Sequence, residues 1–418
     1  MDRFGNRFAP GLPYARGQIL TNTEDDVRKL RRAWRIIDRR IRNRGPESVF
    51  NFSGLERGLP MEAKDLAFAD DDLAPALHLD RFRALALDHL GGNRLIHEAR
   101  LFNRVTAAVT ATHLALVRPG DVVVGVSAGY SHPVVVRAAA HAGAKFIDAH
   151  GVRSFGETLQ REEMVALVVL TRLSVTYDIL STEDIGESIR LAREKRASVF
   201  VDDAGGARVG PAAFDQPRML ELGVDVGATG LDKYGTVGPR LGLLAGEKNL
   251  VARIYARALE FGLEARPMLY PAAIRSLEQY EPARVRVLVD TTRRVAAALR
   301  ARLGNRLHET PVTAQLLADD ILEVAMERGR VTRPPIVPLE ATAALAMLLL
   351  EDYGVLTVHF AGLPPGTSSL LLKFVSPETL AKFGGPDTFA EAIDRSLSKL
   401  GGFLREPDSL RILLMGDE

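Results

Sequence analysis

The chain of 418 residues contains no cysteine, and only 6% of its residues are aromatic. Without cysteine, thiol nucleophiles, disulfides and thiolate metal sites are excluded. Long hydrophobic runs are also lacking: the longest, such as residues 343–350, are too short to span a bilayer, and the first thirty residues contain no apolar signal core. A formal net charge of +1 gives no overall field that favours nucleic acid or an anionic membrane. We therefore expect a soluble, cytoplasmic protein, and the length suggests two or three domains.

The middle of the chain alternates strand-like and helix-like segments, as a parallel sheet with crossover helices does. Strands are predicted at residues 121–126, 145–148, 166–171, 198–201, 224–229 and 241–245. Helices are predicted at residues 107–117, 133–141 and 183–195. This is a doubly wound α/β pattern, in which ligands bind at the carboxyl ends of the strands.

Beyond about residue 250 the pattern changes to that of a smaller α+β domain. Helices are predicted at residues 283–303, 339–353 and 390–404, and short strands near residues 323–325, 356–360 and 370–375. We therefore expect three parts, which are an N-terminal helical arm (1–70), a large domain (71–265) and a small C-terminal domain (266–418).

A strongly basic helix is predicted near the amino terminus. Residues 28–44 contain nine basic side chains and one acidic side chain. Leu30, Trp34, Ile37 and Ile41 recur at helical spacing and predict one apolar stripe on this helix. Two interpretations stay open: a helix that packs on its own protein or on a partner subunit with solvated arginines, and an arm that contacts RNA or phosphate.

Residues 228–246 carry the strongest functional signal. Lys233 lies there in a turn with Gly230, Gly235 and Gly238, between two apolar, strand-like segments. Glycines let the backbone bend sharply and approach a ligand, and burial lowers the pKa of a lysine amine, as imine formation requires. The alternative is an ordinary surface lysine at a strand end. The glycines, and the carboxylate described next, favour a Schiff base with an aldehyde cofactor.

That carboxylate follows the apolar strand at residues 198–201. Asp202 is placed to keep the ring nitrogen of such a cofactor protonated, which makes the ring an electron sink. Ala204 would face the same way and is small enough to lie under the ring, whereas Asp203 should point elsewhere. The alternative is that Asp202 caps a turn in the glycine-rich loop that follows.

A phosphate-binding segment is predicted at the start of the helix at residues 107–117. Its residues are Asn103, Arg104, Val105 and Thr106. Free amides at a helix N-terminus bind a phosphate dianion, although asparagine and threonine also cap helices without any ligand. Thr229, just before the lysine turn, would add a hydroxyl group from the other side.

A residue that stacks on the cofactor ring is expected after the strand at residues 121–126. Tyr130 and His132 are the candidates, and we favour His132 because it begins the next helix. No His-x-x-x-His spacing occurs, so we expect no metal site.

The order of these elements resembles that of the fold type I family of pyridoxal phosphate (PLP) enzymes: phosphate loop, stacking residue, strand aspartate, then lysine. Within the family, Gly230-Leu231-Asp232-Lys233 and Gly238-Pro239-Arg240-Leu241-Gly242 are most similar to the selenocysteine synthase (L-seryl-tRNA selenium transferase) group. Phe102-Asn103-Arg104 is similar to uncharacterised archaeal relatives of that group. The resemblance covers roughly residues 85–280. It implies a three-layer, aminotransferase-like large domain with a mainly parallel sheet, a smaller α+β domain, PLP as cofactor, and a homodimer or larger homo-oligomer.

The resemblance also implies an amino acid or amine substrate, an external aldimine and a carbanion at the substrate Cα, with Lys233 freed to act as a base. A lyase or β-replacement transferase is the reaction type that we favour. Transamination is the first alternative, and a seryl-tRNA selenium transferase-like enzyme or an RNA-binding protein on the same fold is the second. A dinucleotide enzyme is disfavoured because residues 204–210 lack the Gly-x-Gly-x-x-Gly spacing.

The chain departs from the family pattern at two places. Leu231 separates the glycine from the Asp-Lys pair, and Thr236-Val237 replaces one of the paired glycines. Many fold type I enzymes bind the substrate carboxylate with a small-domain arginine, whereas residues 370–376 here contain Lys373. The other candidates for contacting a substrate anion are Arg172, Arg240, Arg266 and Arg275. Of these, Arg172 is the best placed, because it follows the strand at residues 166–171.

Overall fold

A computed structural model describes residues 1–360 and 363–416 of the chain. The helices are α1 (Thr23–Arg44), α2 (Ala63–Leu66), α3 (Leu73–Leu90), α4 (Val105–Leu116), α5 (Pro133–His141), α6 (Gly151–Arg161), α7 (Thr182–Glu194), α8 (Gly206–Ala213), α9 (Lys248–Phe261), α10 (Tyr270–Glu278), α11 (Pro282–Leu303), α12 (Ala318–Gly329), α13 (Pro338–Tyr353), α14 (Pro377–Phe383), α15 (Pro386–Phe403) and α16 (Pro407–Met415). The strands are β1 (Phe50–Asn51), β2 (His97–Phe102), β3 (Val122–Ser127), β4 (Lys145–His150), β5 (Leu167–Leu170), β6 (Ser198–Asp202), β7 (Val226–Gly230), β8 (Gly242–Glu247), β9 (Leu307–Glu309), β10 (Thr313–Leu317), β11 (Val355–Leu356) and β12 (Ser369–Lys373). Within these described ranges, no helix has both the length and the apolar character that crossing a membrane requires.

The chain divides into two compact units. Glu56–Arg286 form the large unit, and Met1–Leu55 together with Val287–Glu418 form the small unit. This division differs from the predicted boundaries, which made residues 1–70 a separate arm and ended the large domain at residue 265. The first residues belong to the small unit because α1 contributes Ala33 and Ile36 to the same hydrophobic core as the helices α12, α13 and α15.

The large unit is built on a seven-stranded sheet in the order β2-β8-β7-β6-β5-β3-β4. Its strands are parallel except for β8, which runs antiparallel to both of its neighbours. Side chains along β5 alternate between two cores, Leu167 and Val169 facing one and Val168 and Leu170 the other. A sheet covered by helices on both faces is the α/β architecture that the sequence predicts, and this prediction is confirmed.

The small unit contains the three-stranded antiparallel sheet β12-β10-β9 and a bundle of helices. Most of the α13 side chains are buried, as expected for a helix in the middle of a core. The strand predicted near residues 323–325 is wrong, because those residues lie in α12. Ile321, Leu322 and Ala325 are fully buried at positions that share one helical face, and this spacing stabilises a helix rather than a strand.

The N-terminal helix forms as predicted, but its buried face differs from the predicted stripe. The fully or almost fully buried side chains of α1 include Lys29, Ala33 and Ile36, whereas Trp34 is 57% and Ile41 39% exposed. Burial lowers the pKa of Lys29 to about 8, the negative charge of Asp26 opposes this effect, and the Lys29 Nζ lies 2.8 Å from Nδ1 of His359. A stripe inferred from apolar residues alone could not include a lysine that is buried by such pairing.

Candidate active site

The strand order brings the predicted site residues to one edge of the large sheet. β6 ends at Asp202, which is paired with Ala228 of β7. β7 ends at Gly230, and Gly242 at the start of β8 is the partner of Gly230 on one side and of Phe102, at the end of β2, on the other. Asp202 therefore ends its strand at the same edge at which the segments carrying Lys233 and Arg104 leave β7 and β2.

Close backbone packing fixes the turn that carries Lys233. The N–H of Leu231 donates to the carbonyl oxygen of Leu241 at 3.0 Å. A Cβ atom on Gly238 would lie 2.1 Å from the carbonyl oxygen of Leu231, so no larger residue fits there without movement. Gly235 has a φ of 91°, a conformation that favours glycine. These two glycines therefore allow the backbone of the turn to pack closely against itself.

A buried arginine holds the lysine turn from inside the protein. Arg208 on α8 is fully buried, and its Nη1 donates a hydrogen bond to the main-chain carbonyl oxygen of Lys233. Its guanidinium lies 5.0 Å from the centre of the Tyr280 ring. Burial lowers the pKa of Arg208 to about 10. Arg208 positions the backbone from which the Lys233 side chain extends.

The amine of Lys233 is destabilised in its charged form. Desolvation lowers the pKa of Lys233 from its usual value, and the positive charges of Arg57 and Arg240 lower it further. Asp232 and Asp202 oppose this effect. A lysine amine with a lowered pKa is more often neutral near neutral pH, which is the form that attacks a carbonyl carbon.

Asp202 is the second unusual group of this edge. The residue is only 4% exposed, and its Oδ1 atom is buried without a hydrogen-bond partner among the described residues. Desolvation, followed by the charge of Asp203, raises the pKa of Asp202 to about 6. The backbone N–H of Ala204 and the charge of Lys233 act in the opposite direction. A buried carboxylate oxygen without a partner is ready to accept a hydrogen bond from a ligand.

Arg172, one of the predicted substrate contacts, is engaged in a buried ion pair. Its Nη2 lies 2.6 Å from Oδ2 of Asp203, and both side chains are fully buried. Its Nη1 donates to the carbonyl oxygen of Pro217 at 2.7 Å. The expectation that Asp203 points away from Asp202 agrees with this pairing, and the sequence could not show that Arg172 would be its partner.

The predicted phosphate segment lies at the N-terminus of α4. Arg104 is the residue before the helix and is exposed, with an extended backbone (φ −160°). A Cβ on Gly242 would lie 2.6 Å from the carbonyl carbon of Arg104, so β8 packs directly against this end of the helix. Thr106 is exposed in the first turn, and Val105 is half-buried. The side chain of Asn103 instead donates to the carbonyl oxygen of Gly262 at 3.2 Å.

Three arginines and one aspartate surround the lysine turn. Nε of Arg57 donates to Oδ2 of Asp232 at 3.0 Å. Burial, and then the charges of Arg57 and Arg104, lower the pKa of Arg240 to about 10. The positive groups that act on one another here outnumber Asp232, and a region with more cations than anions attracts an anionic ligand. Arg57 lies far from Lys233 in sequence, and no sequence motif indicated that it belongs here.

The remaining predicted residues occupy separate places. The Thr229 hydroxyl donates to the carbonyl oxygen of Ala204 at 3.3 Å, which brings these two predicted cofactor contacts together. His132 is the N-cap of α5, and its Nδ1 accepts the N–H of Val134 at 3.1 Å. Arg266 forms an exposed ion pair with Asp71. The other two predicted anion contacts are Arg275, which is paired with Glu62 and Asp65, and Lys373, which is buried at the end of β12 in the small unit.

A pair of buried tyrosines beside the lysine turn was not predicted. The hydroxyl oxygens of Tyr177 and Tyr234 lie 2.7 Å apart. Burial raises the pKa of both phenols. Tyr234 directly follows Lys233, and this position could have suggested that it belongs to the site. Its partner Tyr177 could not be recognised in this way, because it lies in a turn after β5 and is distant in sequence.

Comparison with known proteins identifies relatives along almost the whole chain. The chain is 29% identical over 402 residues to a UPF0425 pyridoxal phosphate-dependent protein of Methanothermobacter thermautotrophicus, covering 95% of this chain and 100% of that protein. It is 27% identical over 362 residues to a protein of the same name from Methanosphaera stadtmanae, covering 85% and 90% of the two chains. No protein-family model matches the sequence.

Solved structures share the fold at low sequence identity. A chain of the SepCysS–SepCysE N-terminal domain complex superposes with a TM-score of 0.59 at 14% identity, covering 84% of this chain and 95% of that one. An alanine–glyoxylate aminotransferase from Nostoc sp. gives 0.57 at 16%, with the same coverage of 84% and 95%. Serine palmitoyltransferase from Sphingomonas wittichii gives 0.59 at 17%, covering 84% and 88%. The chain thus shares the aminotransferase-like fold of these solved structures, and it is similar in sequence to proteins named UPF0425 pyridoxal phosphate-dependent proteins.

Proposed function

We propose that this protein is a PLP-dependent enzyme that acts on an amino acid or another primary amine. The observation that carries the proposal is that one edge of the sheet holds both a lysine amine with a lowered pKa and a buried carboxylate oxygen that has no hydrogen-bond partner in the described part of the chain. Both are the groups that PLP requires of a protein. The names of the relatives support the same cofactor.

The residues of this edge fit the parts of the cofactor. Oδ1 of Asp202 would accept the hydrogen bond of the ring nitrogen, and Lys233 would bind the aldehyde carbon. The amides of Val105 and Thr106, with the Arg104 guanidinium, would hold the phosphate. Further proposed contacts are His132 and Ala204 on the ring faces, with Asn103 and Thr229 at the phosphate end.

The chemistry divides between the cofactor and the chain. When bound, PLP supplies an electron sink for the electron pair left on the substrate Cα after a bond to that carbon breaks. Lys233 contributes a neutral amine that takes up the Cα proton. Asp202 remains ionised opposite the ring nitrogen and holds its proton there. Arg208 keeps the Lys233 backbone in place while its side chain moves.

Arg240 is the proposed contact for the substrate carboxylate. It is exposed at the lysine turn, and the positive charges of Arg57 and Arg104 act on it. Arg104 at the α4 N-terminus would contact the cofactor phosphate, and Arg240 would contact a second anion. Arg266 and Lys373 remain alternative proposals for the same role.

Among the possible reactions we favour loss or replacement of a β-substituent, with transamination as the second candidate. The first rests on the resemblance of the lysine and glycine motifs to the selenocysteine synthase group. The two are separated by incubating the PLP-loaded protein with β-substituted amino acids. Elimination releases a keto acid and ammonia without an acceptor, whereas transamination needs an added keto acid and releases no ammonia.

Absorbance titration tests the cofactor proposal. The full chain mixed with PLP is expected to develop a visible band and saturate at one cofactor per chain. A Lys233→Ala variant should lack that band, and a Lys145→Ala variant, which changes an exposed lysine, should retain it. A visible band of equal intensity in the Lys233→Ala protein would reject the role of Lys233.

We further propose that the protein is at least a homodimer, because its resemblance to the fold type I enzymes implies one. Light scattering tests this separately from the cofactor, and a strictly monomeric species would contradict it.

A further inference from the structure

The exposed face of α1 carries a row of arginines that the proposed enzyme does not use. Arg28, Arg31, Arg35, Arg39 and Arg42 recur every three or four residues and are all exposed. That spacing aligns them along one side of the helix over about 21 Å, at 1.5 Å per residue. Arg31 and Arg39 have no ion-pair partner within residues 1–360 and 363–416, and Arg42 is paired with Asp38 at 2.9 Å.

The positive charge of the chain is concentrated in this helix. α1 contains nine basic and four acidic residues, a net charge of +5, whereas the whole chain has a net charge of +1. All but one of the nine basic side chains are arginines. The guanidinium group forms paired hydrogen bonds with phosphate oxygens and stacks on aromatic rings, so arginine suits nucleic acid better than lysine does.

The only tryptophan of the chain lies on the same face. Trp34 is 57% exposed, and it lines an open groove on α1 together with four arginines, one acid and one amide: Arg31, Arg35, Arg39, Arg42, Asp38 and Asn43. α1 packs on the core through Ala33 and Ile36 on its opposite face, so Trp34 makes no contribution to this core. An aromatic ring between guanidinium groups is a platform on which an unpaired base can stack.

We propose that this face of α1, from Arg28 to Arg42 with Trp34, binds a single-stranded segment of RNA. The arginines contact successive phosphates, and Trp34 stacks on one base. Unpaired bases are the ordinary state of RNA loops and ends, and these are the elements that proteins read with aromatic and arginine side chains. The opposite side of α1 packs in the small-unit core, so the helix that presents this face does not need RNA in order to form.

Two other occupants fit the face less well. A basic helix on a membrane inserts an apolar face into the lipid, but the apolar side of α1 is buried in the small-unit core. In a symmetric dimer whose twofold axis ran through this face, the same basic patch of both copies would meet and bring like charges together.

The test measures binding of a fluorescein-labelled oligouridine RNA of fifteen nucleotides to the full chain. Anisotropy reports binding, and the fluorescence of the single tryptophan reports from α1 alone. The variant Arg31→Gln/Arg39→Gln/Arg42→Gln removes three charges from the face. The control Arg118→Gln/Arg153→Gln/Arg333→Gln removes three exposed arginines elsewhere.

The expected result is saturable binding that quenches Trp34 with the same midpoint as the anisotropy. The face variant should bind at least tenfold more weakly, and the slope of log affinity against log salt should fall by about 2 if each arginine contacts one phosphate. The control should change affinity less than twofold. Trp34→Ala should weaken binding about fivefold or more, and Trp34→Phe less.

Several results would overturn the proposal. These are absence of binding, equal affinity of the face variant and the wild type, and binding that leaves the Trp34 fluorescence unchanged. Equal affinity for an oligothymidine DNA or for polyglutamate would show that the face binds polyanions in general and does not select RNA. Dissociation of an oligomer in the face variant would assign the face to a subunit contact. Retention of PLP and its visible band in the face variant separates this proposal from the enzymatic one.

Discussion

Asp202 is a buried acid, and we expect its pKa to differ between the cofactor-free and the PLP-bound protein. Without the cofactor, burial raises the pKa to about 6 from 3.8, so the folded protein favours the protonated form. Protonated Asp202 therefore stabilises the folded protein fully below pH 4, and this contribution to the free energy of unfolding is lost as the pH rises through 6. At 1.36 kcal/mol for each pH unit, the loss amounts to at most about 3 kcal/mol.

Asp202→Asn should therefore stabilise the cofactor-free protein at pH 8 and leave its stability unchanged near pH 4. The same substitution should weaken PLP binding, because an amide cannot keep the ring nitrogen protonated. Thermal unfolding from pH 4 to pH 8, with and without PLP, measures both effects. Parallel unfolding profiles of the two proteins across that range would contradict the raised pKa.

The buried pair of Arg172 and Asp203 is a structural element beside the site. Removing one partner leaves a charge buried without compensation, which costs about 3–5 kcal/mol. Asp203→Asn should therefore lower the free energy of unfolding strongly. Glu187→Gln, which breaks an exposed pair with Arg190, is the control and should cost less than about 1 kcal/mol. Denaturant unfolding compares them, and similar small losses would show that the buried pair is not maintained.

Arg104 and Arg240 are expected to bind different anions. Arg104→Gln should raise the Kd for PLP, since the phosphate loses a charged partner. Arg240→Gln should raise the KM for the substrate amino acid and change the PLP affinity little. Equal effects of both substitutions on the PLP affinity would assign Arg240 to the phosphate instead.

At the scale of elements, the lysine turn depends on a contact that only glycine permits. Gly238→Ala would place a methyl group 2.1 Å from the Leu231 carbonyl oxygen, so the backbone must move and Lys233 with it. We expect loss of the visible PLP band together with a lower melting temperature. Gly186→Ala, in an exposed position of α7 where an added Cβ would meet no described atom within 4 Å outside its own helix backbone, is the control. It should stabilise the helix by up to about 1 kcal/mol and leave the band unchanged.

The elements that the sequence predicted well are those with strong local patterns. The strand at residues 198–201 and the helix at residues 133–141 were placed almost to the residue, because uninterrupted apolar runs and a proline at the helix start are local signals. The strand predicted near residues 323–325 was wrong because short apolar runs fit helix and strand equally well. The prediction of the buried face of α1 was wrong because that face contains paired polar residues, which an apolar pattern does not include.

The sequence predicted the α/β class and the fold of PLP enzymes for the molecule, and both predictions are confirmed by the sheet and by the comparisons. Lys233 and Asp202 could be singled out because each has a local motif. The partnerships Arg57–Asp232, Arg172–Asp203 and Tyr177–Tyr234 could not, since each joins segments that only the folded sheet brings together. Long-range pairs of this kind leave no periodicity in the sequence.

The most direct measurement concerns the bond between Lys233 and the cofactor. The PLP-loaded protein is reduced with borohydride, digested and mapped by tandem mass spectrometry. We predict one pyridoxyl phosphate group per chain, attached to Nζ of Lys233. Attachment to a different lysine, or no attachment to a protein saturated with PLP, would contradict it.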